Sequence, residues 1–241
     1  MIEIRDLIKV NVLAFFRRPV NLGLIMLGIP VVIYGFYVFM RALPDFIFPE
    51  ISAEIGAATG SLFAVVFLVG LVGLFQIISS LEADRRLSIS GFTMYNILVG
   101  RFLGILIIST IISIISLGVM SYWVLAESYP RAFLILVLSG FLYGLIGVLI
   151  GSLVQKELEA SLLLIFIADL DVFLGTGFLD FESIIVEYLP LHSPSILLQS
   201  AVLDGYIDSS HFLVLGVYIL LFLYFSSLAF KKASSDQEGW I

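Results

Sequence analysis

Six stretches of this chain each run for about twenty residues almost without charge, and that one feature constrains the fold more than any other. They cover 20–40, 61–81, 97–123, 132–154, 160–178 and 212–230. A helix rises about 1.5 Å per residue, so about 20 apolar residues cross a hydrocarbon core of about 30 Å. The expected fold class is therefore an all-α integral membrane protein with six transmembrane helices. None of the stretches holds a Lys, and Arg101 stands at an edge, where snorkelling would keep its charge in water. Composition agrees, with 61% hydrophobic and 13% charged residues, against roughly 45–50% and 25% in soluble domains. There is too little polar surface to cover a soluble globule. The first stretch is too long, and too far from the start, for a secretory signal, so it is expected to stay in the mature protein.

The basic residues give the stretches an orientation. Of the twelve Lys and Arg, all but Arg41 and Arg131 fall in the N-terminal segment, in the loop after the second stretch and the adjoining edge of the third, in the loop after the fourth, or in the tail. Cytoplasmic loops collect basic residues, so both termini are expected inside, in a multi-pass protein of the plasma membrane. The other side collects acids, among them Asp45, Glu50, Glu54, Glu127, Asp180 and Glu187. A net charge of −7 is the wrong sign for nucleic acid. The absence of Cys excludes disulfides, thiolate metal sites and cysteine nucleophiles.

The segments between the stretches are not plain tethers. In residues 1–19, Ile4, Leu7, Ile8 and Phe15 share a helical face opposite Arg5, Asp6, Lys9 and Arg17. That pattern predicts an amphipathic interfacial helix, broken at Pro19, ahead of a six-helix domain over 20–241. The inner loop 82–95 mixes Glu82, Asp84, Arg85 and Arg86 with Leu87, Ile89, Phe92 and Tyr95, and exposed apolar residues there read as a docking surface. The outer segment 179–211 is too apolar to be a solvated loop. With Ser193 as N-cap, Pro194 at the first helical position and Gly205 beyond Leu203, it predicts a helical hairpin re-entering the outer leaflet. In the fourth stretch Gly140, Gly144, Gly147 and Gly151 form one face, against which another helix can pack closely.

Chemistry is sparse. No G-x-x-x-x-G-K-[ST] phosphate loop occurs, His192 and His211 are the only histidines, and no H-E-x-x-H cluster offers a metal site. The chain is expected to be no enzyme and to bind no cofactor itself. Asp169 and Asp171 are the polar anomaly, counted from Ala160 to near the midplane, and intramembrane carboxylates default to a functional hypothesis. Two residues apart on a helix they point about 200° from each other, so they cannot form an acid pair. Either they serve a translocation path or gate, or they cap an unwound stretch near Gly175 and Gly177 or bond neutrally to a nearby Ser or Tyr.

The order of parts resembles the ABC-2 type permeases, membrane subunits of many ATP-binding-cassette exporters. The resemblance lies in Phe15-Phe16-Arg17-Arg18-Pro19 before the first span, and in 82–91 followed by Ile97-Leu98-Val99-Gly100-Arg101-Phe102-Leu103-Gly104. It continues in the glycines of span four with Gln155-Lys156-Glu157, and in Tyr188-Leu189-Pro190-Leu191-His192-Ser193-Pro194 before span six. Where the family often has a Ser-Gly then Pro turn after span five, this chain has Gly175-Thr176-Gly177. The resemblance implies a homodimer in membrane lipid, with two copies of a separate ATP-binding subunit that carry ATP and Mg. Glu82, Asp84, Arg85, Arg86 and Phe92 would then couple to that subunit, and substrate would pass between spans two and five of the two copies. The alternative is a self-sufficient secondary carrier or channel using Asp169 and Asp171 for ion coupling, but the internal repeat such a carrier needs is not found.

Overall fold

The structure, a computed structural model, describes residues 4–43, 53–79, 93–154, 156–175, 184–204 and 209–238. Every regular element among them is helical. Helix α1 covers Ile4–Arg17, α2 Pro19–Gly23 and α3 Ile29–Ala42, with a π-helical turn at Leu24–Gly28 making α2 and α3 one continuous rod. Then follow α4 (Ala53–Ile78), α5 (Met94–Met120), α6 (Tyr129–Leu153) and α7 (Glu157–Gly175). Short α8 (Ile184–Glu187) and α9 (His192–Gln199), a second π-helical turn at Ser200–Asp204, and α10 (Ser209–Glu238) complete the chain.

Among the described residues five helices are long and apolar enough to cross a membrane: Asn21–Ala42, Ala53–Ile78, Tyr95–Met120, Tyr129–Leu153 and Ser209–Ala233. The helix expected as the fifth span, α7, forms over 19 residues but carries Glu157, Glu159, Asp169 and Asp171, which sets it apart from those five. Proline does what its chemistry dictates at Pro19. Arg18 drops out of helical conformation, α1 stops, and a new helix starts with the residue that has no N–H to lose. The Asn21 side chain donates to the Phe15 carbonyl at 2.9 Å, satisfying one of the acceptors that α1 leaves open at its end.

Two helices form the keystone of the bundle. A Cβ on Gly147 of α6 would collide with the Gly70 carbonyl of α4, and a Cβ on Gly73 of α4 with the Gly144 carbonyl of α6. Gly140 and Gly151 likewise leave no room, the latter with the Leu74 carbonyl at 2.9 Å. The glycine face expected of the fourth stretch thus meets a second, unforeseen one. In a bilayer, where lipid is as apolar as Leu, such close approach and the dispersion contact it brings are what hold helices together. The same device seats α3 on Gly56 and Gly60 of α4, and α1 on Gly100 of α5 through Leu7. Buried hydroxyls add cross-ties, Ser109 to the Val137 carbonyl at 2.9 Å and Ser226 of α10 to the Leu145 carbonyl at 2.7 Å.

The bundle has two distinct ends. At one, α1 packs against the start of α5. At the other, the N–H groups of Glu127 and Ser128 donate to the carbonyls of Val202 and Ala201, at 3.3 and 3.1 Å. Those contacts pin α9 and its π-helical extension onto the connection between α5 and α6. Tertiary contact also joins α9 to α4, α6, α7 and α10.

Candidate functional site

Helix α7 has two faces with the same spacing and opposite character. Leu164, Ala168, Asp171, Val172 and Gly175 are buried against the bundle, whereas Leu162, Phe166, Leu170 and Phe173 look outward. Asp171 belongs to the first set and is 2% exposed; Asp169 is half-buried on the outward face. The opposed directions expected from their spacing are observed. Asp171 lies one turn from Gly175, the last described residue of α7, at the junction with α9.

There Asp171 answers a need created by the neighbouring chain. Its carboxylate accepts from the Leu191 N–H, at 3.1 Å to Oδ1 and 3.2 Å to Oδ2, and from the Tyr143 hydroxyl of α6. Leu191 is the N-cap of α9, and its own side chain cannot cap. A carboxylate borrowed from another helix takes that place and sits at the positive end of α9. This corrects the sequence expectation of Ser193 as N-cap. Because the cap comes from α7, the helix can start two residues earlier, and Pro194 falls harmlessly within the first turn.

The rest of the segment around α9 is held as firmly. The His192 Nδ1 lies 3.2 Å from the Gly175 carbonyl, His211 Nδ1 lies 3.3 Å from the Ser193 hydroxyl, and the Tyr218 hydroxyl donates to the Tyr188 carbonyl at 2.6 Å. Gly175 is needed for the approach, since a Cβ there would stand 3.1 Å from the His192 nitrogen. Both histidines therefore tie α7, α9 and α10 together. Among the described residues no three His, Asp or Glu side chains gather to hold a metal ion.

At the opposite end a second polar cluster was not foreseen. Arg101, expected to snorkel, is only 3% exposed, and its guanidinium donates to the Gln76 carbonyl in the last turn of α4. It is buried against a carbonyl in the last turn of α4, and a guanidinium satisfies such an acceptor well. The available signal was that Asn21 and Gln76 are the only amide side chains in the six apolar stretches. Tyr143 had a similar signal, as a phenol within span four that needs a partner when buried. The expected coupling residues Glu82, Asp84, Arg85, Arg86 and Phe92 lie outside the described residues.

No family model matches the chain, and no curated protein sequence matches it.

Proposed function

We propose that this chain is the permease subunit of an ABC-2 type exporter, working as a homodimer above two copies of a separate ATP-binding subunit. The observation that carries the reading is the position of Asp169. It stands among Leu162, Phe166, Leu170 and Phe173 on the outward face of α7. A carboxylate turned to lipid there costs about 2.5–3.5 kcal/mol even on a mild insertion scale, so this face is expected to meet protein or water. A second copy supplies both.

Helix α4 supports the same reading. It is enclosed on most sides, yet Phe63, Phe67, Leu71 and Phe75, one face at helical spacing, are left half-buried. That stripe and the outward face of α7 would line the passage between two copies, as expected for spans two and five. In this reading α7 is the sixth membrane helix, shielded at Asp169 by the partner copy. The α9 hairpin re-enters the outer leaflet, with its backbone ends held by Asp171 and by the α5–α6 connection. In this reading the end that carries the basic residues of α1, α5 and the tail, with both termini, faces the cytoplasm. There α1 and loop 82–95 receive the ATP-binding subunit, which carries ATP and Mg.

The test is to express a tagged chain together with candidate ATP-binding-cassette subunits from the same genome, and to reconstitute the product in lipid vesicles. The complex should hydrolyse MgATP, the chain alone should not, and Phe92→Asp should separate the two subunits. Ion-gradient-driven flux through vesicles holding this chain alone, without ATP, would overturn the reading in favour of a secondary carrier.

A further inference from the structure

The rod that α2 and α3 form is continuous but not uniform. Its turn at Leu24–Gly28 is π-helical, closed by the Ile29 N–H donating to the Leu24 carbonyl five residues back. Such a turn is wider than an α-helical one and is a common place for a helix to bend. The sequence accounts for its position. Pro30 stands at the start of α3 without an N–H to donate, and in a regular helix its ring would meet the carbonyl four residues back, that of Met26. Gly23 and Gly28 bracket the turn. In α4 and α6 glycine is a packing device, but a Cβ on Gly23 would meet nothing within 4 Å, and one on Gly28 only the Leu24 side chain at 3.9 Å. No neighbour requires these two to be small, so what they supply is a backbone less committed to the helix than alanine's.

The two sides of this turn are anchored differently. On one side, Phe36 and Met40 of α3 fill the space over Gly56 and Gly60, which fixes α3 to α4. On the other, α1 and α2 hold each other, the Asn21 side chain donating to the Phe15 carbonyl and the Asn21 N–H to the Arg18 carbonyl at 3.0 Å. Helix α1 rests on α5 through side chains, Leu7 over Gly100 and Asn11 over Gly104, and such contacts can slide. Of the five residues in the turn only Ile25 is buried, so a bend there breaks little packing. A cavity of about 130 Å³, bordered by Ala14, Phe15 and Leu24, separates the elbow between α1 and α2 from α4 and leaves it room to move. We propose that residues 23–30 are a hinge, about which α1 and α2 swing as one body while α3 stays fixed to α4. From Arg17 back to Arg5 the lever is about 18 Å long, and a kink of about 20° moves its far end by about 6 Å. The hinge needs no transport and stands or falls separately from the permease reading.

Double electron–electron resonance on the full chain in lipid nanodiscs tests this, with spin labels on pairs of cysteines introduced into the thiol-free sequence. Arg5, Leu22, Val31 and Leu134 are exposed, so labels there disturb no packing. Arg5→Cys with Val31→Cys spans the hinge. Its distance distribution should be about 6 Å broader than that of Val31→Cys with Leu134→Cys, which joins α3 to α6. Arg5→Cys with Leu22→Cys, joining α1 to α2, should be as narrow as the α3 to α6 pair. Gly23→Ala with Gly28→Ala has room for both methyl groups and should fold at least as stably as the parent. It should narrow the hinge-spanning distribution to the width of the other two. A narrow distribution across the hinge in the parent chain would overturn the proposal. So would a broad one that the double alanine variant leaves unchanged, or a broad one between α1 and α2, which would move the bend to the elbow at Arg18.

Discussion

Removing the Asp171 carboxylate takes the acceptor from two buried donors at once, the Leu191 N–H and the Tyr143 hydroxyl. Both partners are fully enclosed, so neither donor finds water instead. At about 1–3 kcal/mol for each orphaned group, Asp171→Ala is expected to cost about 2–6 kcal/mol. Polar groups between membrane helices find substitute partners more easily, and measured couplings there average about 0.6 and reach about 1.7 kcal/mol. The lower half of the range is therefore expected, with a coupling between Asp171→Ala and Tyr143→Phe of about 0.6–1.7 kcal/mol. Asp171→Asn keeps one oxygen for the Leu191 N–H and an amide that can donate to the phenol, so its cost should stay below about 1.5 kcal/mol. Denaturation in micelles, followed by tryptophan fluorescence, gives these energies, and hydrogen exchange locates them. Protection should fall in α9 and persist in α4 and α6. If Asp171→Ala and Asp171→Asn were equal, or if Asp171→Ala and Tyr143→Phe were simply additive, the capping account would be wrong.

Three further outcomes are expected. Gly147→Val drives a branched side chain into the Gly70 carbonyl and should cost about 1–3 kcal/mol or more, whereas Gly118→Ala, at a helical site with nothing within 4 Å, should be neutral or stabilising; comparable losses at both sites would deny the glycine contact its role. Single cysteines at Ser209 and Ser235 of this thiol-free chain should differ toward an impermeant reagent on intact cells, with labelling at 209 only. In the assembled complex Asp169→Asn should alter ATP-driven transport with little loss of expression, and unchanged transport with normal assembly would remove Asp169 from the mechanism.

The helices and the close packing of α6 are legible in the sequence because both are local. An apolar run announces a span, and glycines four and three residues apart announce a groove within one helix. The break at Pro19 is legible for the same reason. What escapes is pairing across distance. Asp171 meets a backbone N–H twenty residues away, and an N–H carries no residue-type signal. Arg101 reads as an edge charge until the end of α4 is seen to offer it the Gln76 carbonyl, twenty-five positions back. The N-cap of α9 is misplaced in the sequence for a related reason, since local rules look for the cap on the same strand of chain. Gly70 and Gly73 gain meaning only once α6 is laid against them.

The contact between α4 and α6 has a mechanical consequence. Where one helix's carbonyl occupies the place of the other's missing side chain, no rotamer exists to relax into and intermediate positions are closed. The pair can slip only by whole helical turns of about 5.4 Å, or not at all. Helices α7 and α10 lean on this pair through side chains such as Leu164 and Ser226, which can turn and regrip. The molecule thus divides into a stiff keel of α4 and α6, with α3 locked to it by the same device, and a movable planking of α7 and α10, and any widening or narrowing falls to the planks.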